Sequence, residues 1–202
     1  MGGRKLEKIK QNPFVKKVGF NRIVLCCVLL LMYGLFCALT GGSFAGMNRI
    51  MSALNYAYFL GFLSLSVTFV IATGQIDFSI GPVMFCCALM SGYTLTTHGI
   101  SMPVAFLISI LVGFAFGLFN GYLVAYWSVP SFITSMASMN IAKGLASVYT
   151  KTQSVSWPQA ADPDNGWFRN LVRYNGFPVG LVILLVVAVI CAIILNKTRI
   201  GR

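Results

Sequence analysis

Charge is scarce in this chain: 9% of its 202 residues are Asp, Glu, Lys or Arg, and only four are acidic. Soluble domains carry about 25% charged residues, so a water-soluble globular fold is excluded at the outset. There is a single histidine, and the six cysteines (Cys26, Cys27, Cys37, Cys86, Cys87 and Cys191) all fall within apolar runs. C-x-x-C and Cys/His metal spacings are missing, so no metal site or disulfide framework is expected, and each thiol reads as a small hydrophobe. The phosphate-binding pattern G-x-x-x-x-G-K-[ST] is also missing, which removes nucleotide hydrolysis from the chemistry of the chain itself. No catalytic residue, no cofactor, no internal repeat and no low-complexity tract is expected.

What is abundant is apolar. The chain is 57% hydrophobic with mean hydropathy +0.82, and it holds 16 Phe, 9 Met and 20 Gly. A helix crosses a bilayer with about 20 apolar residues. Six stretches qualify as candidates: Ile23–Leu39, Ile50–Thr73, Ile80–Leu95, Pro103–Tyr126, Phe132–Tyr149 and Val179–Leu195. The third is short and framed by glycines. The fifth, SFITSMASMNIAKGLASVY, is the most polar, which suits a segment that is partly re-entrant or buried among other helices. Gly113, Gly117 and Gly121 recur every four positions in GFAFGLFNGY, a spacing that predicts ordinary close helix contact. His98, in TTHGIS, reads as a loop residue.

The net charge of +11 does not read as nucleic-acid binding, because the cations sit at the chain ends. Arg4, Lys5, Lys8, Lys10, Lys16, Lys17 and Arg22 fall in the first 22 residues, and Lys197, Arg199 and Arg202 in the last six. Cations flanking apolar spans are topology signals. The basic leader is too long for a signal peptide and further spans follow at once, so Ile23–Leu39 reads as an uncleaved first span. Six crossings put both basic termini on the cytoplasmic side and the polar connection Thr150–Phe177 outside. The expected fold is an all-α, polytopic integral membrane protein with about six spans and a helix break near residues 74–82. Residues 1–22 form a basic cytoplasmic segment and 23–202 a membrane domain.

The break is carried by GQIDFSIG, residues 74–81, followed by Pro82. Gly74 and Gly81 permit backbone conformations that a continuous helix does not use. Pro82 suits a first helical turn, and Ser79 is placed to cap the helix that follows. Asp77 is the chemical puzzle. At membrane depth a carboxylate costs about 2.5–3.5 kcal/mol to insert unless it finds water or partners. Irregular backbone at that depth survives only inside protein or beside a watery cavity, and interrupted helices point to a transport path. Two readings stand side by side here: a buried break on such a path, or a surface loop in which Asp77 merely caps a helix. Lys143 likewise either pairs with Asp77 or snorkels to an interface.

IATGQIDFSIG resembles the Gly-x-Ile-Asp-Leu-Ser-Val-Gly signature of monosaccharide ABC-importer permeases of the ribose, xylose and galactoside type. LFNGYLVAYWSVPSFITSMASMNIAKGLA is similar to that family's Asn-Gly, Pro-Ser-Phe-Ile-x-Thr and Arg-Gly-Leu-Ala region, and NKTRIGR looks like its Thr-x-x-Gly-Arg motif. The resemblance runs from about residue 50 to the end. It implies a subunit that moves a sugar or similar small polar solute into the cell. The implied partners are a second permease subunit, a cytoplasmic ATPase subunit that handles ATP, an extracytoplasmic solute-binding protein and membrane lipid. The implied location is the plasma or inner membrane, crossed several times. The residues carried over are Gly74, Ile76, Asp77, Ser79 and Gly81, then Asn120 and Gly121, then Pro130, Ser131, Phe132, Ile133 and Thr134. Gln75, Phe78 and Ile80 depart from the signature, and Lys143 stands where arginine is usual, keeping charge but not the planar fork. Family members are longer, so the expectation is a fragment, split gene product or truncated frame that does not couple alone to ATP hydrolysis. Two rival classes remain: an ion-coupled secondary transporter using Asp77, and a non-functional membrane remnant.

Overall fold

The computed structural model describes residues 20–172 and 177–198, with side chains from residue 23. The basic residues Arg4 to Lys17 and the terminal Arg199, Gly201 and Arg202 lie outside them. Seven α-helices are described: α1 Phe20–Leu39, α2 Met47–Ala72, α3 Ile80–His98, α4 Met102–Tyr126, α5 Ser131–Tyr149, α6 Trp167–Val172 and α7 Val179–Lys197. Each of the six apolar stretches forms a helix in its expected place. Four of them (α2, α3, α4 and α7) are long and apolar enough to cross a membrane. The apolar part of α1, Ile23–Leu39, is shorter. In α5, Thr134, Ser135, Ser138, Ala142 and Ala146 are buried, which agrees with a polar segment lying among other helices. Large side chains such as Leu31, Tyr126 and Val148 are exposed around the helices, as expected of surfaces that face lipid rather than water.

The chain divides into two compact units between Ser52 and Ala53. In the first, a single 3-10 turn at Ser43–Ala45 folds back on α1, and the Phe44 ring lies 5.7 Å from that of Tyr33 and 5.6 Å from that of Phe36. Thr40 closes the turn, donating its hydroxyl to the Phe36 carbonyl at 2.7 Å and accepting the Phe44 N–H at 3.2 Å.

The second unit is built on α3, α4 and α5. Pairings from Ser79–Asn120 through Ser91–Ser109 to the Leu95–Met102 contact run α3 and α4 antiparallel. Ile76–Ser131 at one end and Thr94–Tyr149 at the other align α5 with α3. One apolar cluster joins Cys86, Phe116, Ala142 and Ala146. Cys86 and Cys87 are buried and fill space as expected of small hydrophobes. A second cluster of Leu95, Met102 and Ala105 lies at the far end and is covered by Trp157 and Phe168 of the long connection. That connection is docked. Gly92 on α3 is where it lands: a methyl group on Gly92 would lie 2.7 Å from a Val155 methyl and 2.8 Å from the Trp157 indole nitrogen. Arg169 Nε donates to the Pro158 carbonyl at 3.0 Å, and Asp162 accepts the N–H groups of Asp164 and Asn165 at 3.0 and 2.9 Å. His98 is exposed at the end of α3.

Helix α2 has no buried residue and meets α7 through two glycines in reciprocal fashion. Leu184 of α7 occupies the space over Gly61 of α2, and the Tyr58 ring of α2 lies 2.8 Å from where a methyl on Gly180 of α7 would sit.

Candidate functional site

Helix α2 stops because Gly74 takes φ +73°, a left-handed conformation that glycine adopts without strain. The Gly74 N–H reaches the Ile71 carbonyl at 2.9 Å and the Gln75 N–H the Val70 carbonyl at 3.2 Å. This pair of bonds is the Schellman pattern that satisfies the last carbonyls of a helix. The expected break is therefore present, as a non-helical stretch from Thr73 to Ser79. Gly81 does not take part in it: it is helical, and a methyl group there would meet nothing within 4 Å.

The break is recessed. Helix α4 has 25 residues and α3 has 19, and Ser79 meets Asn120, six residues before the last residue of α4. At 1.5 Å per residue, α3 therefore begins roughly 9 Å below the end of α4. Ile76 N–H donates to Ser131 Oγ at 3.2 Å, fastening the stretch to the start of α5.

A chain of hydrogen bonds runs inward from there. Asp77 Oδ1 accepts both the Ser79 N–H and the Ser79 hydroxyl, each at 2.6 Å. Ser79 Oγ in turn accepts from Asn120 Nδ2 at 3.0 Å, and Asn120 Oδ1 accepts the Ser138 hydroxyl. Ser79 and Ser138 are both buried. Ser79 occupies the cap position of α3, and its carbonyl accepts the Val83 N–H at 2.8 Å. Its side chain makes no cap bond, because the hydroxyl is committed to Asp77. The expected side-chain cap is thus corrected to a bridging role. Asp77 is half-buried and held within its own turn.

Two cavities flank this chain of bonds and share Val70, Asp77, Gly117 and Asn120. The larger, about 560 Å³, lies between α2 and α3–α4, with Phe62, Ser66 and Val83 in its wall. The smaller, about 300 Å³, reaches Gln75, Gly121, Ser131 and Ser135. The glycine stripe on α4 opens onto them. Gly113 is in ordinary contact, its methyl position 3.6 Å from Cys87 Sγ, but Gly117 and Gly121 have nothing within 4 Å. At those two positions the expected helix contact gives way to open volume.

The structure thus gathers Asp77, Ser79, Asn120, Gly121 and Ser131. Thr134 is buried one turn into α5, whereas Pro130 and Phe132 are exposed. Lys143 is exposed and stands twelve residues beyond Ser131, roughly 18 Å along α5. No ion pair joins it to Asp77, and the pairing reading is set aside. Sequence reading missed Ser138. Its signal was the spacing of Ser131, Thr134, Ser135 and Ser138, which places these hydroxyls on one helical face. Among the described residues, no group of three or more His, Cys, Asp or Glu is arranged to hold a metal ion.

The family described as "Branched-chain amino acid transport system / permease component" matches residues 49–202. The fructose import permease protein FruG of Bifidobacterium longum is 33% identical over 159 residues, covering 74% of this chain and 45% of that protein. The galactofuranose transporter permease protein YtfT of Escherichia coli is 30% identical over 148 residues, 73% of this chain and 42% of that one. The xylose transport system permease protein XylH of Haemophilus influenzae is 28% identical over 145 residues, 70% and 38% respectively. The chain spans about half the length of the curated relatives it matches. No solved structure matches it. With its apolar helices, its recessed break and a match over most of its length, the chain is a multi-pass membrane protein and belongs to this family of transport-system permease components.

Proposed function

We propose that the chain is a membrane-spanning permease component of an ABC importer that carries a monosaccharide or a similar small polar solute into the cell. The observation that carries this reading is the chain of hydroxyl and amide groups from Asp77 to Ser138, flanked by two cavities beside the helix break. The similarity to permeases named for fructose, xylose and galactofuranose supports it. Chemistry favours a neutral polyol over the amino acids of the family's description. The described residues that line the cavities include no lysine or arginine to meet a carboxylate, whereas sugar hydroxyls need only donors and acceptors such as Asn120, Ser66 and Ser135. ATP hydrolysis belongs to a separate cytoplasmic subunit, and a second permease copy and an external solute-binding protein complete the assembly. The ion-coupled alternative is not favoured, because the relatives are named as import or transport permeases for sugars.

Asp77→Asn isolates the charge, since an amide oxygen can still accept both Ser79 bonds. In the importer assembled with its partner subunits, uptake should fall about tenfold, equivalent to ~1.4 kcal/mol on the transport barrier, with unchanged amounts in the membrane. Uptake equal to wild type would remove Asp77 from the path.

Both termini face the cytoplasm on this reading, residues 1–22 being the basic cytoplasmic segment, because cations flanking spans are retained inside. Alkaline phosphatase fused after Arg202 should be inactive, and the same enzyme inserted after Asn165 in the connection should be active. The reverse pattern would invert the topology.

A further inference from the structure

We infer that the chain has a second small-molecule site, a cavity of about 740 Å³ between the first half of α2 and the long connection, suited to a neutral polyhydroxylated ligand such as a monosaccharide. Asn55 and Phe59 of α2 line it from one side, and Gln159, Phe168, Arg169 and Asn170 of the connection from the other. It is distinct from the Asp77 cavities. Asn55 precedes Val70 by fifteen residues of one continuous helix, roughly 22 Å.

The Asn55 side-chain oxygen is buried and receives no hydrogen bond from any described residue. A buried carbonyl without a donor destabilises the empty protein, so the site is built to receive a ligand O–H or N–H. The other groups narrow the class. Gln159 and Asn170 are exposed, and each carboxamide both donates and accepts. Phe59 and Phe168 offer ring surface to the C–H face of a sugar. Arg169 is held by its bond to the Pro158 carbonyl and lies 5.2 Å over the Phe168 ring, leaving its other N–H groups to donate to hydroxyl or ring oxygens. Among the described residues no carboxylate is in the lining, so a cationic ligand meets no counter-charge there. An anion lacking hydroxyls satisfies Arg169 but gives Asn55 no donor. Only a ligand that donates and accepts at several points meets all of these groups. The choice of a sugar rests on the proposed transport reading, whereas the position of the site does not.

The test uses the full chain in lipid nanodiscs, titrated calorimetrically with D-xylose, D-fructose, D-galactose and D-ribose. At least one should bind. Asn55→Leu should weaken that binding about tenfold, the usual scale for one lost buried hydrogen bond. Without sugar the variant should be as stable as the native chain or more so, because the unsatisfied carbonyl is gone. Gln159→Ala, on the exposed connection, should weaken binding severalfold and serves if Asn55→Leu does not fold. Binding that is equal in both variants and the native chain, or no binding of any of the four sugars, overturns the site. The two readings fail separately. Sugar uptake by the assembled importer, with sugar binding to the chain that is indifferent to Asn55→Leu and Gln159→Ala, sinks only this site. Sugar binding that is lost in Asn55→Leu, without uptake of any sugar by the assembly, sinks only the transport reading.

Discussion

Asn120→Leu should be the most damaging single substitution at the helix break. Asn120 donates to Ser79 and accepts from Ser138, and both serines are buried. Leucine removes both partners at once. A buried polar group left without its partner costs about 1–3 kcal/mol. Ser138 can recover part of this by turning its hydroxyl to a carbonyl of its own helix, so the expected loss is about 2–4 kcal/mol in total. For a chain of this size that corresponds to a fall in unfolding temperature of roughly 5–10 °C, measurable in nanodiscs. Asn140→Leu is the control, because Asn140 is exposed and its amide donates only to the Met136 carbonyl one turn back. If the two variants melt alike, the chain of bonds through Asn120 does not hold α3, α4 and α5 together.

At the other end of α3, Gly92→Leu should release the long connection. A single methyl at Gly92 would already stand 2.7 Å from Val155 and 2.8 Å from Trp157. Overpacking of a tight contact costs about 1–3 kcal/mol, and leucine adds three further carbons. Moving Trp157 aside is the cheaper response than moving α3, whose core faces α4 and α5. Cleavage by an added protease between Lys151 and Gly166 should then accelerate about tenfold, and Trp157 emission should shift to the red. A Trp157→Phe background separates that shift from Trp127 and Trp167. Gly144→Leu, where nothing lies within 4 Å, should leave cleavage unchanged. Equal cleavage in the two leucine variants would show that the connection is not seated on Gly92.

The helices were legible because their signal is local. A long apolar run can only be a helix in lipid, and all six expected stretches begin within three residues of the observed helix start, the third and the last at the same residues, Ile80 and Val179. The break was legible for the same reason, since Gly74, Ile71 and Val70 settle it among themselves. What escaped depends on which faces meet. Ser138 acquires its role only when α5 turns that face toward Asn120. Gly117 and Gly121 carry a contact spacing but open onto cavities, because α2 stands off from α4. Lys143 and Asp77 are both charged, yet the length of α5 keeps them apart. The short helix α6, six residues long, has too few turns for a hydrophobic period to show.

The reciprocal glycine seats between α2 and α7 bear on how the chain is made. Tyr58 and Gly61 emerge early in synthesis, whereas Gly180 and Leu184 emerge only after α3, α4, α5 and the whole connection. Until then α2 has no neighbour for that face, while α3 and α4, adjacent in sequence, can pair as soon as both are out. Contacts between distant parts of a chain form after local ones. The α2 wall of the larger cavity is therefore completed after the α3–α5 bundle. A ribosome stalled before α7 leaves a nascent chain whose α3–α5 bundle is complete and whose α2 is tied to it through the break but not yet seated against α7.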